Sequence, residues 1–432
     1  METPVVRVGI IGAGTVGAAL IDLLSDTSRV DALIDAAGSR LELVAVAIRD
    51  TTRVRSHIPA HLLVDSAEKI ASDPTIDVVV ELMGGTSVAH ELITTALQRG
   101  ASVVTANKAL LALSGTALSA LARDNATDLF YEGAVGGGIP ILRALRTSLA
   151  GERINRVMGI VNGTTNFILS KMTSEGSEYA SVLSEAQSLG YAESDPTADV
   201  EGFDAAAKVT ILSSLAFGTA LDGSAIYREG ITKIRLADVE FATRNGYVIK
   251  LLGISERVGA SAISQRVHPA MVAKGHPLAS VAGAFNAVFV EGASSGPLMW
   301  LGQGAGGAPT AAAVLGDVVA AARNKVTKRF DVPFSVDTTL GTFPMGELQS
   351  AFYITLNVID RPGVLSAVTS VFGDHDVSIR SMEQSGFGDE AHLMFVTHIA
   401  FESDVSATLV DLAKLEVVEE IGSCIRLIGV DG

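Results

Sequence analysis

Between residues 190 and 208 the chain sets five carboxylates, Glu193, Asp195, Asp199, Glu201 and Asp204, ahead of a single lysine, Lys208. A run dominated by apolar residues follows at 209–215. Asp204 and Lys208 are spaced i, i+4, so on a helix they share one face. If that face were exposed, the pair would contribute only a few tenths of a kcal/mol. The apolar run argues instead for a buried helix, and a buried or cleft-lining Asp/Lys pair needs a reason to exist. Chemistry is one such reason. An ammonium group can stabilise negative charge developing on an oxygen and can give or take a proton there. Neighbouring acids raise a lysine's pKa, whereas burial and a second cation lower it. The spacing does not decide between them for Lys208.

A second chemical signal lies near the start. Residues 5–11 form a β-branched run, followed by Gly12-Ala13-Gly14-Thr15-Val16-Gly17 and an apolar helical pattern. Strand, G-x-G-x-x-G turn and helix in that order are the context of a dinucleotide-binding turn. Gly12 permits the tight turn, Gly14 the approach of a pyrophosphate, and Gly17 close packing of helix on strand. The helix N-terminus adds unpaired N–H groups and positive partial charge. A glycine-rich turn without a ligand is the bland alternative. The next strand, expected at 41–48, ends in Arg49-Asp50. An acid there suits the ribose hydroxyl of NAD and an arginine suits the phosphate of NADP. Arg49, with Arg53 and Arg55, favours NADP, unless these arginines form a solvated loop.

The elements that must hold these residues are α/β in type. Strands are expected at 78–82 and 102–105, with helices at 87–99 and 110–123. This alternation implies a Rossmann-type, doubly wound parallel sheet with ligands beyond the strand ends. Residues 83–87, 106–108 and 132–138 lie at such ends. Lys108, just past a buried strand, either meets an anion or snorkels to water. From about residue 152 the pattern changes. A strand at 156–161 feeds a helix, and a second helix spans 179–189. Further helices are expected at 211–217 and 236–245, with strands at 247–258, 262–268 and 287–290. That reads as an α+β substrate and dimerisation domain with an open mixed sheet. Beyond it, strands at 353–359, 377–383, 392–400 and 424–429 and helices from about 362 and at 405–414 give a βαββαβ order. In the first of these helices Pro362 suits the first turn, Val364, Leu365, Val368, Val371 and Phe372 form an apolar face, and Gly373 suits a stop.

The expected domains are therefore 1–150, completed by about 302–325; 151–301; a linker at 326–349; and 350–432. A net charge of −16 makes nucleic acid and anionic lipid poor partners. The one cysteine, Cys424, leaves no internal disulfide and fits a reducing compartment. No apolar run reaches the ~18 residues that span a bilayer, and no signal peptide is evident. A cytoplasmic protein that touches no membrane is expected. His268, before Pro269, is expected at a strand end as a turn residue rather than a catalyst. No His/Asp/Glu set has zinc spacing, so no catalytic transition metal is expected.

Taken together, Gly12–Gly17, Thr105-Ala106-Asn107-Lys108, Asn162-Gly163-Thr164-Thr165-Asn166-Phe167-Ile168-Leu169, residues 190–208, Gly302-Gln303-Gly304-Ala305-Gly306 and Pro309-Thr310-Ala311 resemble homoserine dehydrogenase. The resemblance covers essentially the whole chain. It implies NAD(P)-dependent interconversion of L-aspartate 4-semialdehyde and L-homoserine, the branch precursor of threonine and methionine. It also implies Lys208 as proton donor and acceptor, Glu193 on the substrate ammonium, Asp204 on polar substrate atoms and Asp199 as an orienting group. Lys108 would stand beside substrate and nicotinamide. The implied cofactor set is Gly12, Gly14, Thr15, Val16, Gly17, Arg49, Thr86, Lys108 and Gly304, with NADP preferred and NAD as the alternative. A structural sodium ion is implied at Glu132 and at the backbone oxygens of Val135, Gly137 and Ile139. The C-terminal unit resembles an ACT domain, which implies an amino-acid effector, threonine being the natural candidate, at Asp360, Gly363, Val364 and Leu365. A homodimer or homotetramer is expected. No kinase segment precedes residue 1, so a fusion with an aspartokinase is not expected. The rival readings are another NAD(P)-dependent semialdehyde reductase and a catalytically silent amino-acid sensor. Intact Lys108, Glu193, Asp204 and Lys208 weigh against the sensor.

Overall fold

Val5–Ile11 is strand β1, apolar enough to be buried along most of its length. Its parallel partners are β2 (Arg40–Ala47) on one side and β4 (Val78–Glu81) on the other. With β3 (Leu63–Val64), β5 (Ser102–Thr105) and β6 (Leu129–Phe130), the sheet runs β3-β2-β1-β4-β5-β6, parallel throughout. Every residue of β4 and β5 is buried, as expected for a parallel sheet covered on both faces. The strand order reverses between β1 and β4, and in sheets of this kind ligands bind beyond the C-terminal strand ends at that point. The computed structural model describes residues 3–48, 58–220, 226–331, 336–387 and 390–429. It falls into two units, Met1–Val157 with Ala207–Ala225 and Asn286–Leu340, and Met158–Ala206 with Ile226–Phe285 and Gly341–Gly432.

In the first unit a late helix, Gly307–Thr327, buries Ala311, Val314, Val318 and Ala322 in the same core as Leu20 and Ile21 of helix α1 (Thr15–Ser25). Each buried Val, Leu or Ile of this set contributes about 1.5–3 kcal/mol, and each alanine methyl group less. Just before that helix comes strand Gly296–Gln303, which the sequence pattern does not reveal. Its Gly-Pro opening and internal glycine hide an alternation in which Met299 and Leu301 remain exposed.

In the second unit, Tyr247–Val258 and Ala262–Ala273 form a long antiparallel hairpin. Ala262–Ala273 then pairs in parallel with Val418–Ile428, which continues through Phe352–Ile359 and Glu390–Thr397 to Ile379–Phe387. The last four strands, with helices Val364–Asp374 and Glu402–Leu412, are the βαββαβ domain. Its core includes Leu356, Val368, Phe372, Phe395 and Leu412.

Three local expectations need correction. Helix Val364–Asp374 begins after Pro362, with Gly363 as its left-handed N-cap at φ 92°, and it runs through Gly373. Val364, Val368 and Phe372 face the core, but Leu365 is exposed. His268 lies inside a strand, not at its end. Pro269 is tolerated there because the neighbour on that side changes, from Tyr227–Arg228 at residues 266–267 to Val418–Ile428 at 270–272. Finally, the last strand starts at Val418, earlier than 424, because Glu419, Glu420 and Gly422 blur its apolar signal.

Candidate active site

The glycine turn is shaped by steric contact. Gly12 sits at φ +99°, and a Cβ there would lie 2.7 Å from the Leu82 carbonyl. A Cβ on Gly17 would lie 2.1 Å from the Gly12 oxygen. At Gly14 the situation is opposite, with nothing within 4 Å of where a Cβ would point. Gly14 is also the N-cap of α1, and no side chain caps that helix end. The first intrahelical bond runs from the Ala18 amide to the Gly14 oxygen, at 2.8 Å. The amides of Thr15, Val16 and Gly17 therefore precede the helical ladder, as an anion site requires. The Gly304–Gly307 loop closes against this turn. A Cβ on Gly307 would be 3.0 Å from the Thr15 oxygen, and one on Gly137 would be 2.6 Å from the Gly304 carbonyl carbon. A dinucleotide fits this cradle, because open space at Gly14 meets uncapped amides.

The neighbouring strand ends are tied together by Glu81, a residue the sequence pattern left unassigned. Its carboxylate accepts the Met83 amide (2.9 Å), the Gly84 amide (3.2 Å) and the Thr105 hydroxyl (2.7 Å). Asn107 donates to the Gly85 oxygen at 2.7 Å and accepts the Leu110 amide at 3.2 Å, capping helix Lys108–Asp124. Thr86, which precedes helix Ser87–Gln98, and half-buried Lys108 are thereby anchored at the ends of β4 and β5. The available signal was a carboxylate ending the run Val78-Val79-Val80-Glu81. Arg49, with Asp50, Arg53 and Arg55, lies outside the described residues.

Glu132 is buried, and its two oxygens accept the amides of Leu142 (2.8 Å) and Arg143 (2.7 Å). Its own amide donates to Asp317 at 2.7 Å, and Asp317 also accepts from the Arg143 guanidinium at 2.7 Å. Burial, and then the nearby Asp317, push the Glu132 carboxyl up to about 7. Burial likewise raises Asp317. Val135 and Ile139 are buried in the same loop, with Gly136 and Gly137 at positive φ between them. Asp317 stands amid the apolar face of its helix, which marks a buried carboxylate but not its partner.

In the second unit Asn162 organises the acidic loop. It caps helix Gly163–Glu175 by accepting the Thr165 amide at 2.9 Å. Its Nδ2 donates to Asp199 at 2.7 Å and to Asp204 at 2.9 Å, holding two of the predicted carboxylates on one amide. Thr164 donates to the Tyr191 oxygen at 2.7 Å, and the Phe167 and Tyr191 rings lie 4.8 Å apart. Gln187 donates to the Glu193 oxygen at 3.1 Å, which steadies the backbone of that exposed residue. Helix Phe203–Phe217 carries Asp204 and, one turn on, Lys208, which belongs to the first unit and is only 8 % exposed. His268 is wholly buried, bonded to the Pro269 oxygen at 2.9 Å. Burial, then the charges of Arg426 and Arg266, hold it well below the usual histidine range. Asp360, Gly363 and Leu365 are exposed while Val364 is buried. Among the described residues no three His, Cys, Asp or Glu groups cluster as a metal site, and no helix is long and apolar enough to cross a membrane.

Comparison with known proteins bears on the same regions. Residues 12–132 match the homoserine dehydrogenase NAD-binding domain, 140–319 match homoserine dehydrogenase, and 352–417 match the ACT domain. The homoserine dehydrogenase of Mycobacterium tuberculosis is 47 % identical over 438 residues, covering 99 % of this chain and 98 % of that one. A crystal structure of a homoserine dehydrogenase from Thiobacillus denitrificans superposes with a TM-score of 0.93 at 38 % identity, covering 99 % of both chains. A hyperthermophilic archaeal homoserine dehydrogenase in complex with NADPH superposes with a TM-score of 0.62 at 30 % identity, over 73 % of this chain and 97 % of its own.

Proposed function

This chain belongs to the homoserine dehydrogenase family, and on that premise we propose how its residues interconvert L-aspartate 4-semialdehyde and L-homoserine. It is an oxidoreductase with a nicotinamide-nucleotide domain and a C-terminal ACT domain. When bound, the nucleotide supplies a hydride to the aldehyde carbon and accepts it back from the alcohol carbon. Lys208 protonates the oxygen as its negative charge develops, and takes that proton back in the reverse direction. Asp204 binds polar substrate atoms, Asp199 orients it, and Glu193 receives the substrate ammonium. Lys108 stands by the reacting groups from the end of β5. The observation that carries this reading is the double hydrogen bond from Asn162, which sets Asp199 and Asp204 together at the start of the helix that bears Lys208.

NADP is the proposed preferred cofactor, supported by Arg49 at the end of β2 in sequence and by the NADPH bound to the archaeal relative. A structural sodium ion is proposed at Glu132 and the carbonyl oxygens of Val135, Gly137 and Ile139. Hard oxygen donors suit it, and a cation would relieve two buried acids. Threonine is the proposed effector. A homodimer or homotetramer is proposed as well, supported by the exposed Met299 and Leu301 on an edge strand. A cytoplasmic location belongs to the same reading.

The test is homoserine-dependent reduction of NADP and of NAD, with and without threonine, in wild type and Lys208→Ala. The substitution should lower kcat by about 10²–10⁴-fold while changing KM far less. A near-normal kcat would remove Lys208 from the chemistry.

A further inference from the structure

The second unit buries a cation that the reaction as described does not use. Lys250 lies within strand Tyr247–Val258 and is 4 % exposed. No carboxylate among the described residues pairs with it. Its Nζ donates to neutral acceptors, the Val281 oxygen at 2.5 Å, the Asn166 Oδ1 at 2.9 Å and the Ser170 hydroxyl at 3.5 Å. Burying an ammonium group without a counter-ion is costly, and burial pushes the Lys250 pKa down to about 8. The charges on the elements around it are engaged elsewhere. On helix Gly163–Glu175, Lys171 pairs with Glu175 and Glu185. On helix Leu236–Arg244, Asp238 accepts the Arg235 amide and the Ser423 hydroxyl, Arg244 pairs with Glu383, and Glu240 is exposed. Strand Ala262–Ala273 sets uncharged Ala270 opposite Lys250, while its Arg266 pairs with Glu256 and its buried His268 is held well below the usual histidine range. Residues 158–160 of the other neighbouring strand and residues 277–280 carry no charge, and His276 accepts the Leu278 amide.

Asn166 links this cation to the acidic loop. Its Nδ2 donates to the Phe285 oxygen at 3.0 Å and to the Val281 oxygen at 3.3 Å, so Asn166 and Lys250 share an acceptor. Its backbone amide donates to the Asn162 oxygen at 3.3 Å, within the first turn of helix Gly163–Glu175. Asn162 in turn donates to Asp199 and Asp204. A helical turn is a stiff connector, because its backbone hydrogen bonds fix the residues at its two ends relative to one another. Displacing Asn166 therefore displaces Asn162 and the two carboxylates it holds.

We propose that Lys250, in its charged form, is a positioning residue for the substrate carboxylates: it holds Asn166, and through the first turn of helix Gly163–Glu175 it sets where Asn162 presents Asp199 and Asp204. The proposal rests on the reading of those two acids as substrate-binding groups. Hydrogen bonds from an ammonium group are roughly twice as strong as those from a neutral donor. The hold on Asn166 therefore loosens when the proton leaves, and alkaline pH acts on substrate capture in the same direction as removal of the side chain.

Steady-state kinetics of the full chain as a function of pH tests it. Lys250→Met keeps most of the side chain's length and removes its donors. Its kcat/KM for homoserine should lie about tenfold below wild type at about pH 7, through KM more than kcat. At about pH 9.5, where Lys250 of the wild type has itself lost its proton, the gap should shrink to within about threefold. A purely structural side chain would give one ratio at both pH values, and that result overturns the proposal, as does a variant equal to wild type throughout. Asn166→Asp serves if the methionine variant does not fold. It keeps an acceptor for Lys250 and adds an opposite charge that holds the proton on Nζ. The alkaline rise in the KM for homoserine should then move up by about one pH unit, and an unmoved rise overturns the proposal. Asp204→Asn separates this proposal from the reading beneath it, because it should raise the KM for homoserine. If it does not, the substrate role of the acids falls. If it does while the ratio for Lys250→Met stays flat with pH, the acids keep their role and Lys250 loses its own.

Discussion

The glycine turn at residues 12–17 and the acidic loop at 190–204 both present a ligand surface, yet different forces shape them. The turn is defined by what cannot fit. Gly12 and Gly17 are packed against backbone that no side chain could displace, and the functional groups are main-chain amides. The loop is defined by what is bonded. Its carboxylates are placed by an amide from Asn162, which lies 37 and 42 residues away from them. Steric definition is rigid and tolerates no added atom. Bonded definition tolerates atoms but not the loss of a donor. The two regions should therefore fail differently.

The largest effect is expected where space is absent. Gly17→Ala places a methyl group 2.1 Å from the Gly12 oxygen, so α1 must move away from the turn. We expect a loss of about 3–5 kcal/mol of stability, the range of severe backbone and packing defects, together with loss of cofactor binding. Thermal unfolding of the purified variant measures the first and cofactor titration the second. A melting temperature within a few degrees of wild type would show that the turn is softer than its contacts imply, and the contrast with the loop would collapse.

The loop should break through its donor. Asn162→Asp keeps an acceptor for the Thr165 amide, so the helix cap survives. It removes the bonds to Asp199 and Asp204 and adds a third carboxylate beside them. Like charges at such range oppose one another. We expect kcat/KM for homoserine to fall by about tenfold to a hundredfold, with cofactor affinity unchanged. If kcat/KM holds and cofactor affinity falls instead, Asn162 has been assigned to the wrong half of the chemistry.

The same contrast explains how much could be read in advance. The strands and helices of the nucleotide domain, and Gly12, Gly14 and Gly17 within it, follow from local pattern, because a turn of this kind is specified by consecutive residues. The order of the ACT elements was legible for the same reason, since each strand or helix carries its own periodicity. Long-range bonds were not legible. Nothing near Glu81 announces that it joins the ends of β4 and β5 through Thr105, and nothing near Asp317 announces Glu132. Asn162 stood in a recognised motif, but its bonding to Asp199 and Asp204 depends on tertiary placement. The strand Gly296–Gln303 was hidden by its own glycines and proline, and the first half of Val418–Ile428 by charges on an apolar frame.

Gly14 offers the smallest effect and the most discriminating one. It shares a motif with Gly17, so a reading by motif alone predicts the same damage at both. The geometry predicts otherwise, because a Cβ at Gly14 meets no protein atom within 4 Å and the residue does not lie at positive φ. Replacing glycine with alanine at such a position also removes freedom from the unfolded chain, which favours folding by about 0.4–1 kcal/mol. Gly14→Ala should therefore melt at or slightly above the wild-type temperature. The added methyl group projects instead into the space beside the uncapped amides of α1, where a pyrophosphate must approach. The KM for cofactor should rise by about tenfold, equivalent to ~1.4 kcal/mol, with little change in the KM for homoserine. Thermal melts and cofactor saturation curves on the same preparation decide it. An unstable variant would mean that the open space is needed by the fold. A stable variant with normal cofactor KM would mean that the phosphates lie elsewhere along the strand ends.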